Sequence, residues 1–416
     1  MSLSVELTGL QAAQTNLDTI GNNIANVSTV GFKGSTPNFN DIYGASLLGA
    51  AGNGVSPGQG VQTNSLSQLF TEGSISQTGN PLDVAISGNG FFQVQTSTGL
   101  AYTRDGSLQV NAQGVLTNDT GALVMGYAPG ASGASGTNGA IGAIQISQSN
   151  LAPVATSTLN MGVNLPSGDT PIDTTTPPFS VTNPHSYSET TATTVYDSLG
   201  SARTLTTFFT PVAGSGSPAN WQTHWELSDS SSGAIVASGS GATLAFNSSG
   251  VLTSGSGTIN VASLPDGAAP LSIQESFSGT TLSDLSFEVN AVANNGTGGG
   301  QFSGLEIGTN GNVIAQYSNG STKSVGTIAL ASFVNPQGLT PLSGNNWQAS
   351  IGSGDPAINP PGVGGLGTLE SGALESSNVD LSTSLVNLIV AQQAYQANVQ
   401  GINVDQQDVQ KLLQLQ

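Results

Sequence analysis

Toward the end of the chain, ten positions at alternating steps of four and three, all but two of them apolar, form a series: Leu381, Leu385, Leu388, Gln392, Tyr395, Val399, Ile402, Gln406, Val409 and Leu413. That spacing draws one narrow stripe down a helix, the pattern of a coiled-coil contact face. Asn378 or Asp380 is suited to cap its start, and no proline follows Pro361. A helix running on to Leu415 would be roughly 55 Å long at about 1.5 Å per residue. The opposite end repeats the pattern more weakly through Leu3, Leu7, Leu10, Gln14, Leu17, Gly21 and Ile24. The two stripes predict a coiled-coil-like bundle of the N- and C-terminal helices. They serve equally for an intramolecular hairpin or for contacts with neighbouring copies, and without packing partners both ends should fray. Gly401, inside the second helix, should cost about 1 kcal/mol relative to alanine.

Between the ends the apolar period falls to two. Leu82, Val84 and Ile86 alternate ahead of a Gly88-Asn89-Gly90 turn, and Phe92 and Val94 continue beyond it. Leu108 and Val110 lead through Asn111-Ala112-Gln113-Gly114 to Val115 as a hairpin. Trp221, Thr223, Trp225 and Leu227 share one strand face, with Gln222, His224 and Glu226 on the other. Gly- and Asn-rich segments at 130–142 and 294–300 bracket this middle region, after which Leu305, Ile307, Val313, Ala315 and Tyr317 resume the earlier style. The predicted fold is mainly β and multidomain, with an α-helical end domain. Its helices fall in residues 1–28 and 369–416, and a loop-rich connector covers 29–70. An inner β domain is assembled from 71–145 and 298–368, and an outer β domain is inserted at 146–297. The Ser-, Thr- and Gly-rich stretches at 174–178, 214–217 and 230–241 read as loops of that outer domain.

Charge and composition remove several functions from consideration. Of 416 residues only 7% are charged, and 24 acidic side chains against 5 basic ones give a net charge of -19. Lys33, Arg104, Arg203, Lys323 and Lys411 are too scattered for a phosphate-binding patch, which argues against nucleic acid and anionic membranes as partners. Without cysteine there are neither disulfides nor thiolate metal sites. The first basic residue is Lys33 and no apolar run approaches the roughly 20 residues of a membrane span, so neither a cleaved secretory signal nor membrane insertion is expected. By these signals alone the chain reads as cytoplasmic.

Catalytic chemistry is equally unsupported. Of the two histidines, His185 and His224, the latter reads as a solvated strand residue. Asp83 with Asp105 could serve glycoside hydrolysis only if a cleft brought them together. Gly88-Asn89-Gly90 lacks the strand-to-helix setting of a dinucleotide loop, and no Walker lysine is present. No catalytic residue, metal ligand or cofactor is expected.

The segment NLDTIGNNIANVSTVGFKGS, Asn16 to Ser35, resembles the N-terminal signature of bacterial flagellar axial proteins, the rod and hook family. Its matching positions are Asn16, Leu17, Asp18, Asn22, Asn23, Ala25, Asn26, Gly31, Phe32 and Lys33. LESSNVDLSTSLVNLIVAQQAYQ, Leu374 to Gln396, resembles the family's other end, while DVAISGNGFFQV and YTRDGSLQVNAQGVL are similar to its shared β domain. The insert, with VYDSLGSARTLTTFF at Val195 to Phe209, is similar to that of hook-type members. Gln393, where a basic residue is common, and Gly401 depart from the pattern. The resemblance implies a non-enzymatic subunit that polymerises with itself into a curved hollow tube, a universal joint carrying torque from rod to filament. Its implied partners are the distal rod protein, the hook cap, the hook–filament junction protein and the flagellar type III export apparatus, with export from the cell and no cleaved signal. The subunit interface would be formed by Leu3, Leu7, Leu10, Leu17 and Ile24 with Leu381, Leu385, Leu388, Tyr395, Val399, Ile402, Val409 and Leu413. A distal rod or junction role, or a secreted β-rich adhesin, is the alternative.

Overall fold

A computed structural model describes residues 3–42, 58–129, 140–173, 178–212 and 220–414, without the side chains of Leu3, Leu412 and Leu413. The expected loops at 174–177 and 214–217 and the helix end at Leu415 therefore lie outside the described residues. The chain divides into two compact units, one of residues 1–148, 304–315 and 323–416, the other of 149–303 and 316–322. The tip at 316–322 groups with the second unit, where the sequence had suggested an insert ending at 297.

In the first unit, helix α1 spans Leu3–Ala25 and helix α2 spans Leu381–Gln414. Asp380 caps α2: its Oδ1 accepts the Thr383 N–H at 2.6 Å, a bond that lowers its carboxyl pKa, and its carbonyl accepts the Ser384 N–H at 3.0 Å. Among the described residues of segment 29–70, expected as a loop-rich connector, two strands form. Ser35–Asp41 and Val61–Gln68 pair antiparallel with a bulge at Asn38/Phe39 and lie against α1. Neither strand alternates apolar with polar residues, which is why the period-two test misses them. Their ladder is reinforced by polar side chains instead, Asn38 Nδ2 donating to Ser65 Oγ at 3.2 Å and Ser67 Oγ at 2.5 Å.

Residues 369–375 are strand rather than helix: Thr368–Ser371 pairs with Val84–Ser87, and Ala373–Glu375 with Ile75–Gln77. A sheet passing from Leu123–Tyr127 through Phe91–Thr96 and Gly99–Thr103 to Asn346–Gln348 forms the body of the unit. The hairpin of Leu108–Val110 with Leu116–Asn118 is present as expected. An edge-to-face aromatic cluster fills the adjacent core, with Phe70 and Phe91 centroids 5.6 Å apart and Tyr102 and Phe333 4.8 Å apart.

The second unit packs two sheets on one apolar core. One is an antiparallel meander of Glu189–Tyr196, Ala202–Val212, Asn220–Asp229, Ile235–Phe246 and Leu252–Ser254. The other places Thr158–Pro166 between Leu271–Ser276 and Glu288–Asn294, with Ser256–Val261 outside Leu271–Ser276. Trp221, Thr223, Trp225 and Leu227 face inward, as alternation predicts. The stretch 230–241, expected as loop, instead contributes the first half of strand Ile235–Phe246, whose Gly239 lets the Trp225 ring lie on the backbone. His224 also departs from expectation: it is buried, stacked on Phe179 at 3.9 Å with ring planes 4° apart, and burial lowers its pKa. Arg203 is held among three carboxylates, Asp197 at 3.0 Å, Asp229 at 2.9 Å and Asp266 at 2.5 Å.

Candidate functional site

The two ends of the chain meet the β body at a buried ionic junction within the first unit. Glu375, 1% exposed, accepts Lys33 Nζ at 2.5 Å and the Gly73 N–H at 2.8 Å on Oε1, and Arg104 Nη1 at 3.0 Å on Oε2. Its backbone carbonyl accepts the Gly31 N–H at 2.7 Å. Lys33 also donates to Thr71 O at 2.7 Å, and Arg104 to the carbonyls of Ile86 at 3.2 Å and Gly88 at 2.6 Å. Burial lowers the Lys33 pKa, and Glu375 opposes that shift. A single carboxylate thus joins the segment after α1, the segment before α2 and the strand end at Arg104.

Asparagines complete the junction by substituting for backbone partners. Asn23 forms a two-way pair with Ser35, donating to its carbonyl at 2.8 Å and accepting its N–H at 2.9 Å. Asn378 accepts the Gly34 N–H at 2.8 Å and donates to Leu69 O at 2.6 Å. Asn26 caps the turn after α1 through Asn22 O and Thr29 Oγ1. Gly31 needs its glycine: φ is +65°, and a Cβ there would lie 2.7 Å from the Arg104 carbonyl carbon. Of the motif residues, then, Asn22, Asn23, Asn26, Gly31 and Lys33 have explicit roles here. Phe32, Asn16 and Leu17 are half-buried, whereas Asp18 and Ala25 are exposed.

The helix pair is antiparallel, with Gly9 facing Asn398 and Gly401 facing Glu6. The buried apolar residues of the two helices are Ala12, Ala13 and Ile20 of α1 and Ala391 of α2. Leu10, Leu17, Ile24, Leu388, Tyr395, Val399 and Ile402 are half-buried. Leu7, Leu381, Leu385 and Val409 are exposed, so within one chain the contact face is rotated from the predicted stripe. Beside Leu385 stand Val386, Ile389 and Val390, 55–60% exposed, forming two adjacent i,i+4 ridges of uncovered apolar surface. Gly401 is explained by the buried Glu6 carboxylate, whose Oε1 lies 2.8 Å from where a Cβ would stand.

A cavity of about 450 Å³ beside the junction is lined by Asp105 and Asp119 but not by Asp83, so the carboxylate pair suggested by sequence is not assembled. Among the described residues no group of three or more His, Cys, Asp or Glu side chains could hold a metal, and no helix is long and apolar enough to cross a membrane.

Family models match along the chain: "Flagella basal body rod protein" over residues 3–33, "Flagellar hook protein FlgE/F/G D1 domain" over 85–166, "Flagellar basal body protein FlaE D2 domain" over 164–297, and "Flagellar basal body rod FlgEFG protein C-terminal" over 370–415. The chain is similar to the flagellar hook protein FlgE of Escherichia coli K12, 38% identical over 419 residues and the full length of both. That of Salmonella typhimurium LT2 is also 38% identical over the full length of both. The protein of the same name from Borreliella burgdorferi is 31% identical over all of this chain and 99% of its own. The crystal structure of Helicobacter pylori flagellar hook protein FlgE2 shares the fold, with a TM-score of 0.54 at 15% identity over 72% of this chain and all of that one.

Proposed function

The chain belongs to the flagellar hook protein family and is a non-enzymatic structural subunit of the flagellar hook, and from that premise we propose how it builds one. Copies polymerise through their terminal helices into a hollow tube, whose curvature makes it a universal joint passing torque from rod to filament. The observation that carries this reading is the uncovered row Leu385, Val386, Ile389 and Val390 on α2. Each such side chain gains about 1.5–3 kcal/mol when fully buried, so a neighbouring helix laid on the row would be strongly held. In the proposed interface the exposed Leu7, Leu381 and Val409 join the same contacts, together with the half-buried Leu10, Leu17, Ile24, Leu388, Tyr395, Val399 and Ile402. Leu3 and Leu413 enter by their place in the heptads alone.

The ionic junction would fix the helix pair to the β body, so that load on the outer surface reaches the tube. The distal rod protein, hook cap, hook–filament junction protein and export apparatus are the partners such a subunit would meet. Electron microscopy of full-length protein beside a version lacking 1–30 and 377–416 tests the assembly. Tubes from the full-length chain alone are expected; tubes from both would remove the helices from the mechanism.

A further inference from the structure

Glu275 stands in the core of the second unit with nothing to neutralise it. It is 3% exposed, and no described residue donates a hydrogen bond to either carboxyl oxygen. It lies on strand Leu271–Ser276, directly opposite Gly257 on the neighbouring strand. A Cβ at Gly257 would be 3.1 Å from the Ala242 nitrogen, and one at Gly241 would be 3.2 Å from Glu275 Oε2. Thr223 Oγ1, which also lies beside Gly241, is committed to Ala242 O at 3.0 Å.

No charge on the surrounding elements compensates. Strands Thr158–Pro166, Ile235–Phe246 and Ser256–Val261 carry no ionisable side chain. On Asn220–Asp229, His224 and Glu226 alternate onto the face opposite Thr223, and Asp229 is bound to Arg203. We propose that Glu275 is a proton-controlled latch: protonated, it lies neutral between the sheets, and ionised, it draws water in at Gly241 and Gly257 and loosens them.

Burial alone raises the Glu275 pKa to about 7, from an ordinary 4.5. Because the folded form holds its proton more tightly, the contribution to stability is present below the ordinary value and is lost as pH rises from there through the folded one. The latch thus releases near neutrality, within the range a hook exposed to the surroundings would meet.

The test uses the full-length chain in two measurements. The Glu275 side-chain carboxyl carbon, assigned with Glu275→Gln, should titrate near pH 7. Hydrogen exchange in 235–246 and 256–261 should accelerate in wild type relative to Glu275→Gln by on the order of 50-fold between about pH 5 and pH 8. His224 shifts the opposite way, but it is common to both proteins and cancels. Titration near 4.5 overturns the proposal, as does an unchanged exchange ratio. The titration is read on the wild-type chain, so a poorly folded variant does not remove the test.

Discussion

Replacing Glu375 with glutamine removes one negative charge and leaves two positive ones buried. Lys33 and Arg104 would face each other across an amide that keeps only one acceptor oxygen and supplies no countercharge. Losing a partner from a buried ion pair costs about 3–5 kcal/mol. Two charge-assisted hydrogen bonds, at about 1.5–3 kcal/mol each, give a similar figure. Local opening at the junction should therefore become about 150- to 5,000-fold more frequent. Hydrogen–deuterium exchange reads this directly, because the Gly31 N–H is bonded to the Glu375 carbonyl and the Gly73 N–H to its carboxylate. Peptides over 28–36, 71–77 and 373–379 should lose protection, whereas those over 202–212 in the second unit should not. Lys33→Met should have the smaller effect, because Arg104 remains on Glu375. A change under about fivefold, or one spread equally over both units, would refute the assignment of the junction as the tie between chain ends and β body.

Arg203→Leu strands the buried Asp197 carboxylate, and chemical unfolding followed by Trp221 and Trp225 fluorescence should show the second unit weakened by about 3–5 kcal/mol. Gly31→Ala forces a left-handed backbone, worth about 1–2 kcal/mol, onto a side chain that also meets the Arg104 backbone; an unchanged unfolding midpoint for the first unit would contradict that. The His224 imidazole should titrate below its ordinary 6.5 in an NMR pH series. Since its folded pKa is lowered, its contribution stabilises the second unit above that value and is lost on acidification, and His224→Phe should abolish this component.

The two terminal helices were legible because a helical period over many residues survives single interruptions such as Gln392 or Gly21. Which face of each helix meets the other was not. Periodicity selects the largest apolar side chains, but the helices approach at Gly9 against Asn398 and Gly401 against Glu6, and of the large stripe residues Leu7, Leu381, Leu385 and Val409 are left exposed. The hairpin Ser35–Asp41 with Val61–Gln68 escaped notice because its strands are polar on both faces. The junction was hidden for another reason: Lys33 and Glu375 are 342 residues apart, and nothing local to either marks the partner. Their segments were picked out by resemblance to the rod and hook family, yet the ion pair linking them, and the part played by Arg104, belong to the tertiary fold. For His224, strand alternation gives a face but not what covers it, here Phe179.

The central claim is that the α2 row left bare within one chain is covered by another copy. An electron cryomicroscopy map of tubes assembled from the full-length protein tests it most directly. The account predicts Leu385, Val386, Ile389 and Val390 buried against the helices of a neighbouring subunit. A map in which that row faces the open channel, with subunits joined only through their β units, would contradict it.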